Sequence, residues 1–280
     1  MAELGPGASL ITASDGVRIY AEAHGEGEPV VFSPGYCQTH ENFRPQVASF
    51  VAAGFRPVLW DYRSHGLSEA PENPAAYSMP QVVDDLARVL DWAAPGRPAV
   101  LGGLSFGGLA SQHFALAWPG RVSGLVLIAS GPGFKNQKAQ SDWEAQIGRI
   151  ADRLERVGFA GWASGRSAAT AIGLRPELPA SQAAGRAIEA QNAKSVALFG
   201  RRVAGPAPST LDRLGEIRAP ALVLLGALDG AYQRAAEVMK AKLPNARSAV
   251  IPDAGHCVNL DQSAAFDRAV LEFLRGRSAL

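Results

Sequence analysis

The chain has 280 residues, 47% of them apolar and 19% charged, with a formal net charge of +1. That balance suits a globular protein built as one large domain or one domain with an insertion, and no block of one sign points to nucleic acid or an anionic membrane. No run of about 18 apolar residues marks a membrane span, and residues 1–16 lack the basic start and apolar run of a secretory leader, so a cytoplasmic protein is expected.

In chain order, residues 9–12 and 17–23 alternate apolar with polar side chains across Asp15-Gly16, a hairpin pattern. Val30-Val31-Phe32 reads as a buried strand running into Ser33-Pro34-Gly35-Tyr36. Residues 41–53 form a candidate helix closed by Gly54. A strand at 57–60 then runs into Asp61-Tyr62-Arg63-Ser64-His65-Gly66-Leu67-Ser68. Val82, Val83, Leu86, Val89 and Leu90 give 79–92 helical spacing. The strand at 99–101 leads through glycines into a helix at 109–118, stopped by Pro119, and 125–129 is another apolar strand.

The rhythm breaks at Gly133. From there to about Leu211 no strand pattern occurs, while 143–157 and 184–199 have helical spacing and Pro176, Pro179, Pro206 and Pro208 punctuate the rest. A strand at 220–226 follows and ends in Ala227-Leu228-Asp229. The next helix closes at 240–244, the last strand is 248–251, and Pro252-Asp253-Ala254-Gly255-His256 precedes a terminal helix at 263–275. Strands alternating with helices predict an α/β fold, a mostly parallel central sheet covered on both faces, with active groups at the carboxyl ends of the strands. Cys37 and Cys257 are too few for a disulfide scaffold and lack the arrangement of a zinc site, so free thiols are expected.

Gly103-x-Ser105-x-Gly107 sits between strand and helix, the nucleophile-elbow pattern. So tight a turn strains the serine backbone and crowds the positions two before and two after it, which glycine relieves by having no Cβ. The hydroxyl then stands at a helix N-terminus, where the peptide dipoles favour negative charge. With Gly-Leu-Ser-x-Gly-Gly here and Gly-His-x-x-Asn-Leu-Asp-Gln at 255–262, the chain resembles the α/β-hydrolase superfamily over nearly its whole length. Within it, the chain looks most like enol-lactonases, cofactor-free perhydrolases and small carboxylesterases.

That resemblance implies a hydrolase core at 1–132 and 212–280 and a helical cap at 133–211, with residues around Trp143, Trp162 or Phe199 lining the substrate pocket. It also implies an oxyanion hole from the backbone N–H groups of Tyr36 and Phe106, although the histidine that many relatives carry before the loop glycine is absent here. A plain strand-to-helix turn is the alternative for this loop. Asp61-x-Arg63-Ser64-x-Gly66-x-Ser68 resembles the superfamily's Asp-x-Arg-Gly-x-Gly-x-Ser loop, which gives His65 a structural role. Serine in place of its first glycine is expected to alter the loop, since serine tolerates positive φ less well.

A serine hydroxyl needs a base within hydrogen-bond reach, histidine suits that task near neutral pH, and a carboxylate on its other nitrogen fixes the tautomer. Ser105, Asp229 and His256 occur in the order expected on this fold, acid and base each following a strand. Asp229 resembles the family's acid-bearing turn (Leu-Leu-Gly-x-x-Asp), while helix capping by Asp229 and an acid role for Asp253 stay open. Some relatives carry the acid one strand earlier, where Ser130 and Gly131 stand here. His113 reads as packing or surface, and His24 and His40 carry no motif. A serine nucleophile disfavours the dehalogenase and epoxide-hydrolase chemistry of this fold. Leu104 and Cys257 stand where carbon–carbon hydrolases often have Asn and Trp. The resemblance therefore implies a cofactor-free, metal-free hydrolase of a small carboxylic ester or lactone. A carbon–carbon hydrolase and a non-catalytic ligand-binding member are the alternatives.

Overall fold

The computed structural model describes residues 4–163 and 169–277. Its strands are β1 (Ala8–Thr12), β2 (Arg18–Ala23), β3 (Glu28–Ser33), β4 (Phe55–Trp60), β5 (Ala99–Leu104), β6 (Val122–Ile128), β7 (Ala221–Gly226) and β8 (Ala246–Ile251). They form one sheet in the order β1-β2-β4-β3-β5-β6-β7-β8. The pairs β1–β2 and β2–β4 are antiparallel and the rest are parallel, as the alternation of strands and helices predicts.

The α-helices are α1 (Val47–Ala52), α2 (Met79–Ala93), α3 (Phe106–Ala117), α4 (Gln137–Ala163), α5 (Ala169–Ile172), α6 (Pro179–Glu189), α7 (Ala193–Phe199), α8 (Gln233–Lys242), α9 (Val258–Asp261) and α10 (Ser263–Gly276). Side chains alternate across a strand, so each central strand feeds two cores. Val31, Val58, Leu101, Leu127 and Val223 pack beneath residues of α2 and α3, including Leu86, Leu90 and Phe114. Val30, Leu59, Val100, Val126 and Leu224 pack on the other face against Phe50 of α1 and Phe266, Val270 and Phe273 of α10. Burying both faces explains why these strands read as unbroken apolar runs.

Two local expectations differ from what forms. Residues 41–53 are not one helix, because Pro45 has no N–H to give; a 3₁₀ segment, His40–Gln46, comes first and α1 follows. Residues 184–199 divide into α6 and α7. Asn192, with extended backbone, accepts from the amides of Lys194 and Ser195 and starts a new helix where the apolar spacing alone runs on.

The sheet order positions the site. Connections from β3 to β4 step one way and those from β5 onward step the other, so the order reverses between β3 and β5. A crevice opens at the carboxyl ends of strands at such a reversal. Over it, the described residues between β6 and β7 form helices and short turns and no strand. Their apolar residues Ala151, Leu154, Phe159, Ile188 and Val196 make a separate cluster that also takes in Cys37 from the loop after β3.

Candidate active site

Ser105 follows β5 at φ 54° and ψ −115°, a conformation uncommon for any residue but glycine, and α3 begins at the next residue. The flanking glycines have a steric cause. A Cβ on Gly103 would collide with the Gly107 backbone, and one on Gly107 would collide with the Ser33 carbonyl. Only hydrogen at both positions lets α3 dock against the strand ends with the serine on the outside of the turn. The Ser105 carbonyl accepts from Ser130 Oγ (2.7 Å) and from the Gly108 amide, which fixes the turn from below. Ser130, where some relatives carry an acid, therefore braces the elbow.

The loop after β3 turns tightly over Gly35–Gln38, with Gln38 N donating to Gly35 O and Cys37 held at φ 70°. Gln38 Oε1 accepts from the Gly35 amide (2.7 Å). The Tyr36 amide, inside this turn, has no acceptor among the described residues, and the Phe106 amide precedes the first bonds of α3. These are the two N–H groups that the resemblance assigns to an oxyanion hole. The same loop is fastened to the helices above it. Tyr36 donates its hydroxyl proton to Val196 O (3.2 Å), Gln191 Nε2 donates to Cys37 O (2.9 Å), and Gln38 Nε2 donates to Ala171 O (3.2 Å).

On the other side of Ser105, Asp229 follows β7 and His256 follows β8. Their side chains meet, Asp229 Oδ2 lying 2.8 Å from His256 Nδ1, both nearly buried. That pairing fixes the proton on Nδ1 and leaves Nε2 as the free, basic nitrogen. Asp253, the alternative acid, is exposed and its carbonyl accepts from Gln262. Ser105 Oγ is hydrogen-bonded not to the imidazole but to the Tyr232 hydroxyl, at 3.3 Å. Tyr232 lies three residues after Asp229, and its ring packs on that of His256 with centroids 4.9 Å apart. Sequence reasoning missed this residue. Its only signal is an aromatic residue on the turn that carries the acid.

These groups share one cavity of about 450 Å³, walled further by Leu109, Trp143, Ile147, Ile150 and Ala207. Trp143 thus reaches the cavity as expected, held by a bond from its Nε1 to Ala204 O (3.0 Å). Phe199 does not. It is fully buried against Tyr62, His65 and Phe106, a large aromatic claimed by the core instead of the pocket. The side chain of Trp162 lies outside the described residues. Cys37 borders the cavity, while Cys257 is buried behind His256 and receives Gln38 Nε2 at 3.3 Å.

The other histidines are structural. Burial pushes His65 down to about 4, and its Nδ1 sits 3.2 Å from Arg63 O. His113 Nε2 lies 2.9 Å from Pro208 O, joining α3 to the chain that enters β7. His40 was given no role from sequence, yet its Nδ1 is 2.7 Å from Asp61 Oδ2 and its amide donates to the same carboxylate. Burial opposes its charge, but that carboxylate prevails and raises His40 to about 10. Ser64 adopts the left-handed φ of 71° itself, with its hydroxyl bonded to Tyr77 (2.9 Å), so the loop forms at the cost of a strained serine. Among the described residues no cluster of His, Cys, Asp or Glu is placed to hold a metal ion, and no helix is long and apolar enough to cross a membrane.

Comparison with known proteins agrees with this architecture. A Bacillus subtilis protein provisionally named as a 2-succinyl-6-hydroxy-2,4-cyclohexadiene-1-carboxylate synthase is 28% identical over 94% of this chain and 97% of its own. The pimeloyl-[acyl-carrier protein] methyl ester esterase of Edwardsiella ictaluri is 31% identical over 81% of this chain and 86% of its own. Among solved structures, a thermophilic esterase from Thermogutta terrifontis superposes with a TM-score of 0.81 at 26% identity, covering 96% of this chain and 97% of that one. The model of the alpha/beta hydrolase family matches residues 30–269. The chain belongs to the alpha/beta hydrolase family.

Proposed function

We infer that the protein is a serine hydrolase that cleaves a small, uncharged carboxylic ester or lactone through an acyl-enzyme. The observation that carries this reading is the Asp229–His256 bridge of 2.8 Å beside the strained Ser105, all three opening on one cavity. His256 Nε2 takes the Ser105 proton as Oγ attacks the carbonyl carbon, and Asp229 stabilises the imidazolium that forms. In this reading the carbonyl oxygen gains negative charge and is met by the Tyr36 and Phe106 amides, one from the turn after β3 and one from the start of α3. His256 then returns its proton to the departing alcohol, and water repeats the sequence to free the acid. Before substrate binds, Oγ rests on Tyr232, so the bond to Nε2 forms in the complex, as is common for catalytic contacts.

The aliphatic and aromatic walls at Leu109, Trp143, Ile147 and Ile150 support an apolar acyl or alkyl group. The helices between β6 and β7 serve in this reading as the cap, residues 133–211, over a core of 1–132 and 212–280. The relatives named as esterases support the bond class. The test is labelling with a fluorophosphonate together with turnover of short p-nitrophenyl esters and simple lactones. Wild type should label once and turn over, and Ser105→Ala should do neither while keeping its melting temperature within a few degrees. Asp229→Asn should retain the fold and lose about 10⁴-fold in kcat. Ester turnover by Ser105→Ala within tenfold of wild type would refute the assignment.

A further inference from the structure

The geometry points to Tyr232 as a catalytic residue of this acyl transfer, its phenol holding Ser105 Oγ in the free enzyme and donating to the alkoxy oxygen as the ester bond breaks. This rests on the acyl-enzyme reading and adds to it the group that receives a poor leaving alcohol.

The argument begins with the strand order. Ser105 stands at the end of β5, with β3 on one side and β6 and β7 on the other. The two amides assigned to the oxyanion come from Tyr36, after β3, and from Phe106, on the elbow itself. Asp229 and Tyr232 come from the turn after β7, and His256 from the turn after β8. A carbonyl whose oxygen faces the β3 side presents its alkoxy oxygen to the β7–β8 side, where His256 must reach it to return the proton. Tyr232 occupies that side, with its hydroxyl 3.3 Å from Oγ and its ring packed on the imidazole.

Chemistry completes the placement. In the tetrahedral intermediate Oγ and the alkoxy oxygen are bonded to one carbon, closer together than any hydrogen bond is long. A donor resting on Oγ from the leaving-group side therefore needs only a small shift to reach the alkoxy oxygen. The proton balance is simple. The Oγ–C bond forms, the C–O bond to the alcohol breaks, the serine proton passes to His256 Nε2 and from there to the alkoxide. Tyr232 transfers no proton and only donates a hydrogen bond. It is suited to that, because burial raises its phenol above the usual value, against the opposing hydrogen bond with Ser105, so it stays neutral and protonated. Tyr232 also has no other side-chain bond among the described residues to hold it elsewhere.

A hydrogen bond to an oxygen that gains charge in the transition state contributes more than one to a neutral oxygen. The contribution should therefore grow with the basicity of the leaving alcohol. Tyr232→Phe removes one oxygen and keeps the ring on His256. The experiment compares kcat/KM, which ends at departure of the alcohol, for an alkyl ester and the p-nitrophenyl ester of the same acid. The variant should lose about 10- to 100-fold on the alkyl ester and less than about threefold on the p-nitrophenyl ester. Fluorophosphonate labelling, whose leaving group is good, should stay near the wild-type rate. Tyr232→Leu is the second variant, should the first not be recovered folded; it also takes the ring off His256 and lowers both rates, and the alkyl ester should still lose at least about 10-fold more than the p-nitrophenyl ester. Equal losses on both esters in Tyr232→Phe would overturn the leaving-group role and leave the hydroxyl only positioning Ser105, and unchanged rates on both would overturn any role of the hydroxyl. Wild type that neither labels nor hydrolyses either ester would overturn the acyl-enzyme reading and this inference together, which separates that failure from a failure of Tyr232 alone.

Discussion

His40 should make the protein lose stability in alkali. The side chain is nearly buried, lies 2.7 Å from Asp61 and faces Glu41 at 3.4 Å, with Glu22 and Arg44 close by and the Tyr20 ring against it. Folding raises its pKa from the ordinary 6.5 to about 10. The folded state thus binds the proton more tightly than the unfolded chain. The stabilisation is fully present below about pH 6.5 and is lost as pH rises through 10. At about 1.4 kcal/mol for each tenfold change in proton affinity, the pair contributes on the order of 4 kcal/mol at pH 6.5 and about 1.4 kcal/mol at pH 9. His40→Gln removes the titrating ring while offering Asp61 a neutral donor. The assay is urea unfolding of both proteins at those two pH values. The stability gap between them should narrow by roughly 3 kcal/mol from pH 6.5 to pH 9. A gap that stays constant within about 0.5 kcal/mol would refute the claim that His40 is held charged by Asp61.

Two further outcomes are expected. Ile150→Ala, on the cavity wall in α4, should shift the ratio of kcat/KM for long against short acyl esters by about 10-fold or more while labelling of Ser105 is unchanged; equal effects on both chain lengths would remove Ile150 from the acyl-binding surface. Cys37 and Cys257 are both buried, and burial pushes both thiols well above their ordinary value, so neither should react readily with a maleimide at pH 7 in the native protein and both should react after denaturation. Fast native modification of Cys257 would contradict its placement behind His256.

What the sequence reveals and what it hides divide along a physical line. The elbow is legible because its requirement is local: Gly103 and Gly107 each face backbone with no room for a Cβ, and the restriction is written at fixed offsets from Ser105. The central strands β5 and β7 are legible because burial on both faces leaves only apolar residues and glycine in them. Asp229 and His256 could be named because each follows a strand in the chain order expected of the acid and the base, Asp229 after buried β7 and His256 after the edge strand β8. The break at Asn192 was masked by continuous apolar spacing on both sides of it, although an asparagine cap was there to be read. Tyr232 and the His40–Asp61 pair are of another kind. No interval in the chain marks them, because strand order alone brings residue 232 to residue 105. Phe199 shows the converse, since an aromatic residue in a helical segment looks the same whether it faces a cavity or a core.

The bonds from Tyr36, Cys37 and Gln38 to Val196, Gln191 and Ala171 bear on how such an enzyme can be recombined. The helical segment between β6 and β7 looks like a detachable cassette, bounded by two strands and packed around its own cluster. The loop that presents the Tyr36 amide is nevertheless seated in that cluster through Cys37. A chimaera that exchanges only the helices would leave the Gly35–Gln38 turn without its ceiling and misplace the Tyr36 amide, which, if it acts as the proposed oxyanion donor, would cost about 10²- to 10³-fold in rate before any change of selectivity could be read. The unit that can be exchanged is discontinuous: the helical segment together with residues 35–38, more than 90 positions earlier in the chain.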